Sequence, residues 1–289
     1  MKSNVISYIL LLSLAFIWGS SFILMKKALV FYTDVQVASL RLLFAFLVLT
    51  PFLFKSIRNV KRIHLLPLLL VGLLGNAIPA FLFTKAQLTL QSSFVGILNS
   101  LTPVFTLVLG FYFFRTKVKL INIFGIIIGF FGAYILYSNE INYSFSLQVD
   151  IFLVVLATIC YAVSINIIRK YLEGLDSITI TSVSFLFVGP PIFLYLYVTD
   201  MLLILSHKGG GIALVYVITL AVLGTAFAVI LFNELIKRTS AIFASSVTYI
   251  IPIIAILWGV IDKESVTITH LMAIIIILCA VYLVNKKNK

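Results

Sequence analysis

Ten apolar stretches of about 20 residues follow one another along this chain, and only short polar breaks separate them. A helix rises about 1.5 Å per residue and the hydrocarbon core of a bilayer is about 30 Å thick, so each stretch can cross a membrane. The composition agrees, because 62% of the 289 residues are hydrophobic and only 10% are charged. Soluble proteins carry about 25% charged residues, so a cytosolic enzyme and a nucleic-acid-binding protein are excluded. We therefore predict an all-α polytopic membrane protein whose ten transmembrane helices cover residues 7–25, 35–54, 67–84, 94–113, 120–137, 150–168, 178–198, 212–232, 241–260 and 268–284.

The distribution of basic residues predicts how these spans are oriented. Of the 21 Lys and Arg residues, 15 lie in segments that share one side of the membrane with both termini, whereas five lie on the opposite side. Short cytoplasmic loops carry the excess of Lys and Arg in membrane proteins. The sequence therefore predicts that both termini are cytoplasmic.

The chain also matches itself at a fixed offset, which indicates an internal repeat. Shifted by 149 residues, Leu74–Ala77 aligns with Leu223–Ala226. We expect two repeats of five spans each, comprising residues 1–143 and 144–289. Because five is odd, the second repeat must enter the membrane from the opposite side, which makes a 5+5 inverted-topology repeat. Carriers built in this way expose a central site alternately to the two sides of the membrane.

Two prolines separated by the same 149 residues, Pro103 and Pro252, interrupt the fourth and ninth spans. Proline removes a helical hydrogen bond, and in lipid the freed carbonyl needs another partner. Interrupted helices at matching positions of two halves indicate a binding site at the midplane. Ordinary kinked helices, in which Ser and Thr bond their own backbone, are the alternative. The substrate-binding candidates around these helix breaks are Asn99, Thr102, Thr248 and Tyr249.

Four further candidates lie deep in other spans. Trp18 and Tyr161 occupy matching positions of the first and sixth spans, and Trp18 lies too deep for the interfacial belt of membrane tryptophans. Such a ring can stack on a flat substrate and donate a hydrogen bond. Asn166 follows Tyr161 in the sixth span, and Asn76 lies near the middle of the third. Helix packing alone is the alternative role for these residues.

Charged residues are nearly absent from the spans. No Asp or Glu lies in the middle third of any predicted span, so a carboxylate proton relay is not expected. Arg41 is the single charged residue inside a span, and we expect it to reach outward or to pair with Asp34 rather than to contact the substrate. We find no metal-ligand, cofactor or hydrolase motif, so we predict a protein that is not an enzyme and holds no metal or cofactor. A lipid-modifying enzyme and a scaffold without transport activity are the alternatives from other classes.

Several short motifs, in the same order along the chain, resemble those of a known protein family. They are Ile17–Phe22, Ala38–Leu42, Thr102–Phe105, Tyr249–Pro252 and the acidic turn Trp258–Glu264. With these motifs, the chain resembles the EamA branch of the drug/metabolite transporter superfamily over nearly its whole length. The corresponding turn of the first repeat lacks the acid.

The resemblance implies a secondary carrier of the cell inner (plasma) membrane, with a small-molecule substrate and the lipid bilayer as its partners and no nucleic acid. Such carriers commonly export amino acids or similar small polar metabolites, through a cavity lined by the first, third, fourth, sixth, eighth and ninth spans. A drug or toxic-compound exporter of the same superfamily is the alternative, although the first span lacks the glutamate that the short multidrug relatives use. The sequence leaves open the substrate, the direction, the coupling ion and whether the chain forms a homodimer.

Overall fold

The computed structural model describes residues 2–115, 119–140, 145–199, 210–264 and 267–285. Their regular structure is helical, which satisfies backbone polar groups inside lipid. Within these ranges the chain forms ten helices, named in chain order α1 to α10, four of which consist of shorter helical segments. The helices are Lys2–Ala28, Asp34–Ser56, Arg62–Ala86, Ser92–Phe114, Leu120–Glu140, Phe145–Tyr171, Ser177–Val198, Gly210–Arg238, Ala241–Ile261 and Ile268–Asn285.

The length and composition of these helices suit a bilayer. Within the described residues, eight helices are long and apolar enough to cross a membrane. Two shorter apolar helices, Leu120–Gly132 and Ile268–Ala280, lie within α5 and α10. The predicted all-helical fold is therefore confirmed, although the helices extend beyond the apolar stretches. For example, α3 begins at Arg62, whereas the sequence predicted a span from residue 67.

Side-chain caps determine where several helices begin. Thr33 forms a capping box with Gln36 at the start of α2, because Thr33 Oγ1 accepts from Gln36 N at 3.2 Å and Gln36 Oε1 accepts from Thr33 N at 2.9 Å. Asp176 precedes α7 and accepts from Thr179 N at 2.8 Å. These caps satisfy N–H groups of the first turn, which have no partner within the helix.

Two helices carry matching π-helical segments. The segment in α3 is Leu73–Ala77 and the segment in α8 is Val222–Phe227, so they begin at the 149-residue offset of the sequence repeat. A π turn contains one extra residue and re-aims the neighbouring side chains, and such turns are frequent at functional sites. The two repeats therefore share a helix irregularity that the sequence analysis did not predict.

The helices α4 and α9 are interrupted at equivalent positions. Helix α4 consists of Ser92–Asn99 followed by Thr102–Phe114, and Pro103 stands in the first turn of the second segment. In α9, a 3₁₀ turn precedes Ile251–Ile261, and Pro252 stands in the first turn of that segment. Proline is tolerated there because an N–H in the first turn would have no helical partner. Both proline helices are therefore broken near their middles.

The ends of α4 and α9 share an unusual backbone geometry. Arg115 follows α4 with a φ of 59°, and Lys263 follows α9 with a φ of 61°. They are the two non-glycine residues with positive φ in the part of the chain that the structure describes. Left-handed residues commonly end helices, because their N–H groups bond carbonyls of the last turn. Each repeat therefore ends its interrupted helix in a similar way.

The repeats pack against each other through equivalent helix pairs. Helix α1 contacts α8 and α9, and α6 contacts α3 and α4 in the same way with the repeats exchanged. Helix α2 packs on α7, and α5 packs on α10. The space between the repeats is therefore bounded by matching helices from both halves, with buried apolar side chains around it.

Candidate functional site

A cavity of about 100 Å³ lies between the two repeats. A cavity needs about 10–15 Å³ to hold one water molecule, so this cavity has room for a small ligand. Residues of α1, α2, α3, α4, α6, α8 and α9 line it, so α2 is added to the six spans that the resemblance implied. Its polar lining consists of Trp18, Ser21, Arg41, Asn76, Asn99, Thr102, Tyr161, Ser164, Thr225, Asn233 and Thr248.

The structure brings most of the predicted substrate-binding residues to this cavity. Asn166 and Tyr249 do not line it. Asn166 follows the cavity-lining Ile165 by one residue, which turns its side chain by about 100° on the helix. Its Nδ2 donates to Thr106 O of α4 at 3.0 Å, and Tyr249 packs against the apolar core. The predicted residues that do line the cavity are Trp18, Asn76, Asn99, Thr102, Tyr161 and Thr248.

Equivalent side-chain hydrogen bonds hold the two π segments. Asn76 Nδ2 donates to Val71 O at 3.3 Å in α3, and Thr225 Oγ1 donates to Leu220 O at 3.0 Å in α8. Each bond reaches the carbonyl five residues back, and the 149-residue offset relates the two bonds. The bond in α3 uses the side-chain NH₂ group of Asn76. The Oδ1 atom of the same side chain can still accept a hydrogen bond from a ligand.

The helix breaks in α4 and α9 are also satisfied locally. Thr102 Oγ1 donates to Asn99 O at 2.7 Å, and Thr248 Oγ1 donates to Ser245 O at 2.9 Å. These hydroxyls therefore bond their own backbone, as the kinked-helix alternative expected. The two threonines and Asn99 nevertheless line the cavity. The structure therefore combines the expected cavity position of these residues with the local backbone bonds of ordinary kinked helices.

Trp18 connects α1 to the π segment of α8. Its Nε1 donates to Gly224 O at 3.0 Å, and its ring meets Phe232 edge-on with 4.9 Å between centroids. The second tryptophan, Trp258, donates instead to Ser20 Oγ at 2.8 Å and does not line the cavity. Trp18 therefore forms part of the cavity wall and also joins the two repeats.

Three rings from α1, α3 and α6 form an aromatic wall of the cavity. Phe83 stacks on Tyr161 with 5.8 Å between centroids, and Phe22 meets Phe83 edge-on at 5.7 Å. All three line the cavity. Rings in such offset and edge arrangements form a stable apolar surface. This aromatic wall can accept the apolar part of a ligand.

Arg41 lines the cavity, which corrects the expectation that it reaches outward or pairs with Asp34. Arg41 is only 9% exposed, and its Nε donates to Thr225 Oγ1 of α8 at 2.7 Å. Asp34 instead pairs with Lys85 at 3.9 Å. The seven residues between Asp34 and Arg41 correspond to about 10 Å along the helix. An arginine directed at α8 therefore cannot reach back to the start of its own helix.

One end of the bundle is held together by ion pairs, and we call this end the ion-pair face. Lys26, at the end of α1, lies 2.8 Å from Glu264 Oε1 and 3.1 Å from Asp262 Oδ2, both in the turn after α9. The same Glu264 carboxylate accepts from the backbone N–H groups of Ser92 and Ser93 at 3.0 Å and from their hydroxyls at 2.7 Å. Glu264 thus caps the first turn of α4 and joins α1, α4 and α9.

Glu264 remains a carboxylate over the ordinary pH range. Burial raises its pKa, but hydrogen bonds from Lys26, Ser92 and Ser93 outweigh burial and lower the pKa from 4.5 to about 2. A group that titrates so low does not exchange a proton near neutral pH. Glu264 is therefore a fixed charge of the ion-pair face.

The low pKa of Glu264 predicts how the stability of this face depends on pH. Because folding lowers the pKa, the contribution of the carboxylate is fully present above its ordinary value of 4.5 and is lost as the pH falls toward about 2. We expect the difference in melting temperature between the wild type and Glu264→Gln to be constant from about pH 5 to about pH 8 and to shrink below pH 4.5. Thermal unfolding of both proteins in detergent over this pH series measures it. A difference that already shrinks between pH 8 and pH 6 would contradict the assignment.

The opposite end of the bundle, where α1 begins and α10 ends, is the terminal face. At the 149-residue offset, Arg115 takes the place of Glu264. Lys170, which aligns with Lys27, lies 5.3 Å from the ring centroid of Phe114 in a cation–π contact. The start of α9, which corresponds to the start of α4, is capped by the hydroxyl of Ser240 instead of a carboxylate, because Ser240 Oγ accepts from Phe243 N at 3.1 Å.

The cavity combines uncharged hydrogen-bonding groups, an aromatic wall and one cation. No carboxylate of the described residues lines it. Within the same part of the chain, no group of three or more His, Cys, Asp or Glu side chains could hold a metal ion. The site is suited to binding and orienting a small molecule that carries both polar and apolar parts.

The sequence analysis missed the contribution of Arg41 and the π segments. A signal for Arg41 was present, because an ionisable residue inside a membrane span is by default a functional candidate. A signal for the π segments was weaker, since only the match of Leu74–Ala77 with Leu223–Ala226 singled out those turns.

Comparisons with known proteins agree with this fold. The model of the EamA-like transporter family matches residues 5–138 and again residues 149–286. A protein of Archaeoglobus fulgidus described as an uncharacterized transporter is 24% identical over 273 residues, which cover 94% of this chain and 95% of that protein. A crystal structure of another protein has a similar fold, with a TM-score of 0.69 and 12% identity over 98% of this chain and 96% of the other. Two successive family matches on a chain of apolar helices identify a multi-pass membrane protein, and the chain belongs to the EamA-like transporter family.

Proposed function

We propose that the protein is a secondary carrier that exports amino acids or similar small polar metabolites by alternating access. The main support for this proposal is the cavity between the repeats. It is lined by equivalent broken and π-helical segments from both halves. Discontinuous helices at a repeat interface are where carriers of this type bind their substrates.

The matched packing of the two repeats supports the alternating mechanism. Helix α1 contacts α8 and α9 as α6 contacts α3 and α4. If the two repeats exchange conformations, the contacts that close one face form on the other, and the cavity changes the side to which it opens. The cavity lining extends from Met25, three residues before the end of α1, to Ile168, three residues before the end of α6, so the cavity approaches both faces.

The orientation of the carrier follows from its basic residues. The side of the membrane that carries the termini also carries 15 of the 21 Lys and Arg residues, so the terminal face is proposed to be cytoplasmic in the plasma membrane. The ion-pair face then lies outside. Export means that substrate enters from the terminal face and leaves after the ion-pair face opens.

The charge of the cavity favours metabolites over the alternative of a cationic-drug exporter. Arg41 is the one charged residue among the described residues of the lining. A buried cation repels a second cation in a medium of low dielectric constant, which disfavours positively charged drugs.

Transport by the purified protein tests the proposal through its two tryptophans. We expect wild-type proteoliposomes to exchange at least one labelled amino acid against an unlabelled internal pool. In Trp18→Phe the exchange rate should fall about tenfold, because the hydrogen bond from Nε1 to Gly224 O is lost beside the substrate. The measurement is counterflow with a panel of labelled amino acids.

Trp258→Phe is the matched control for this experiment. It also removes a tryptophan hydrogen bond between helices, to Ser20 Oγ, but lies away from the cavity lining. Its exchange rate should stay within about twofold of the wild type. If the wild-type protein exchanges no amino acid, the proposed function is refuted. If both variants lose the same amount of exchange, the assignment of the site to this cavity is refuted.

A further inference from the structure

Arg41 is a buried cation whose counter-ion is not supplied by the described part of the chain. No carboxylate there lies within 4 Å of its guanidinium. The acidic side chains that the structure describes have partners near helix ends. They are Asp34, Asp150, Glu173, Asp176, Glu234, Asp262 and Glu264. The positive charge of the cavity is therefore not neutralised by a neighbouring acid.

The guanidinium of Arg41 is oriented by one hydrogen bond and keeps its other donors. Nε donates to Thr225 Oγ1 at 2.7 Å, and Thr225 is itself tied to Leu220 O in the π segment of α8. Among the described residues, this is the one hydrogen bond that the guanidinium makes. The two Nη groups remain as a planar fork, which matches the two oxygens of a carboxylate.

Burial makes this arrangement selective for charge. A charged group that is removed from water without a partner is strongly unfavourable, and an anion that pairs with it offsets much of this cost. An ammonium group would find no carboxylate in the described lining and would be repelled by Arg41. The cavity therefore favours ligands with one negative charge over zwitterions, and both over cations.

We infer that the carrier recognises small organic monocarboxylates, with the carboxylate on the Arg41 fork and the apolar part on the aromatic wall of Phe22, Phe83 and Tyr161. An ammonium group on the substrate is dispensable. This inference rests on the proposed function and narrows its substrate class: amino acids bind through their carboxylates, and the matching 2-hydroxy acids bind at least as well.

Ligand pairs that differ only in charge test this inference on the unmodified protein. Binding of 3-phenylpropanoate and of its neutral amide is measured by isothermal titration in detergent, together with L-phenylalanine and L-3-phenyllactate. The acid should bind at least about 30-fold more tightly than the amide, as expected for a desolvated charge pair. Phenyllactate should bind as tightly as phenylalanine or more tightly. Equal affinities for the acid and the amide would overturn the inference.

Variants of Arg41 test whether this residue causes the preference for the acid over the amide. Arg41→Gln should remove the difference between acid and amide, and Arg41→Lys should retain part of it, since lysine keeps the charge but not the fork. Arg169→Gln is the control, because Arg169 forms an exposed pair with Glu173 at 3.2 Å outside the cavity lining. An acid preference that persists in Arg41→Gln would refute the assignment. If that variant does not fold, the wild-type comparison of acid and amide decides alone.

Counterflow with the same compounds separates this inference from the proposed function. Acid-selective binding without any flux would refute transport and leave the carboxylate site intact. Flux of amides and acids at equal rates would support transport and refute the carboxylate site.

Discussion

The Glu264→Gln variant is expected to be less stable than the wild type by about 2–3 kcal/mol and to open the cavity at the ion-pair face more often. The Glu264 side chain is 1% exposed and accepts from Lys26 and from four donors of Ser92 and Ser93. An amide at this position removes the charge and presents one acceptor oxygen in place of two. Lys26 retains Asp262 as a partner and is 33% exposed, so we expect a value below that of a fully buried pair.

Thermal unfolding in detergent and thiol labelling measure the two parts of this prediction. A cysteine in place of Met25, which lines the cavity near the end of α1, reports access from the ion-pair face in a background without Cys160 and Cys279. In Glu264→Gln its labelling by a membrane-impermeant reagent should be several-fold faster. Unchanged stability and labelling would refute the role of Glu264 in closing this face.

Asp34→Asn is the matched control for Glu264→Gln. It also removes a carboxylate from the ion-pair face, but the distance from Asp34 to Lys85 is 3.9 Å and the lysine side chain is 56% exposed. Exposed pairs contribute about 0–1 kcal/mol, so we expect little change in stability or labelling. An equal effect in both variants would indicate a general response to charge rather than closure by Glu264.

The Gly72→Ala variant is expected to be destabilised by about 1–3 kcal/mol and to lose most transport. Gly72 ends the regular part of α3, and a Cβ atom there would lie 2.5 Å from Ser184 O of α7 and 3.3 Å from Val188 Cγ2. The nearest atom is a backbone carbonyl, which cannot rotate away, so the two helices must separate. The π segment of α3 begins at the next residue, Leu73, so a shift of α3 also moves the cavity wall.

Gly211→Ala provides the control, because a Cβ atom at Gly211 would have no neighbour within 4 Å. Gly211 lies in the first turn of α8, where alanine favours the helix by up to about 1 kcal/mol. Its melting temperature in detergent should equal or exceed that of the wild type, with unchanged counterflow. A Gly72→Ala protein as stable as Gly211→Ala would contradict the close approach of α3 to Ser184 O of α7.

Local properties of the chain were sufficient to predict the spans and the helix breaks. The length of an apolar stretch determines whether it can cross hydrocarbon, and Pro103 and Pro252 break helices through their own geometry. The depth of Trp18, Asn76 and Tyr161 could likewise be read from their positions within the spans. Depth does not specify the side of the helix that faces the cavity, which is why Asn166 was predicted to line it but bonds α4 instead.

By itself, therefore, the sequence determined a membrane protein of ten helices and the residues near the middle of each. The orientation of Arg41 toward the cavity depends on tertiary packing, because its partner Thr225 lies on a helix of the other repeat, 184 residues away in sequence. The packing of the helices likewise places Glu264 against Ser92 and Ser93, which begin a helix of the first repeat. Such contacts depend on how the helices are rotated and packed together, which no single apolar stretch encodes.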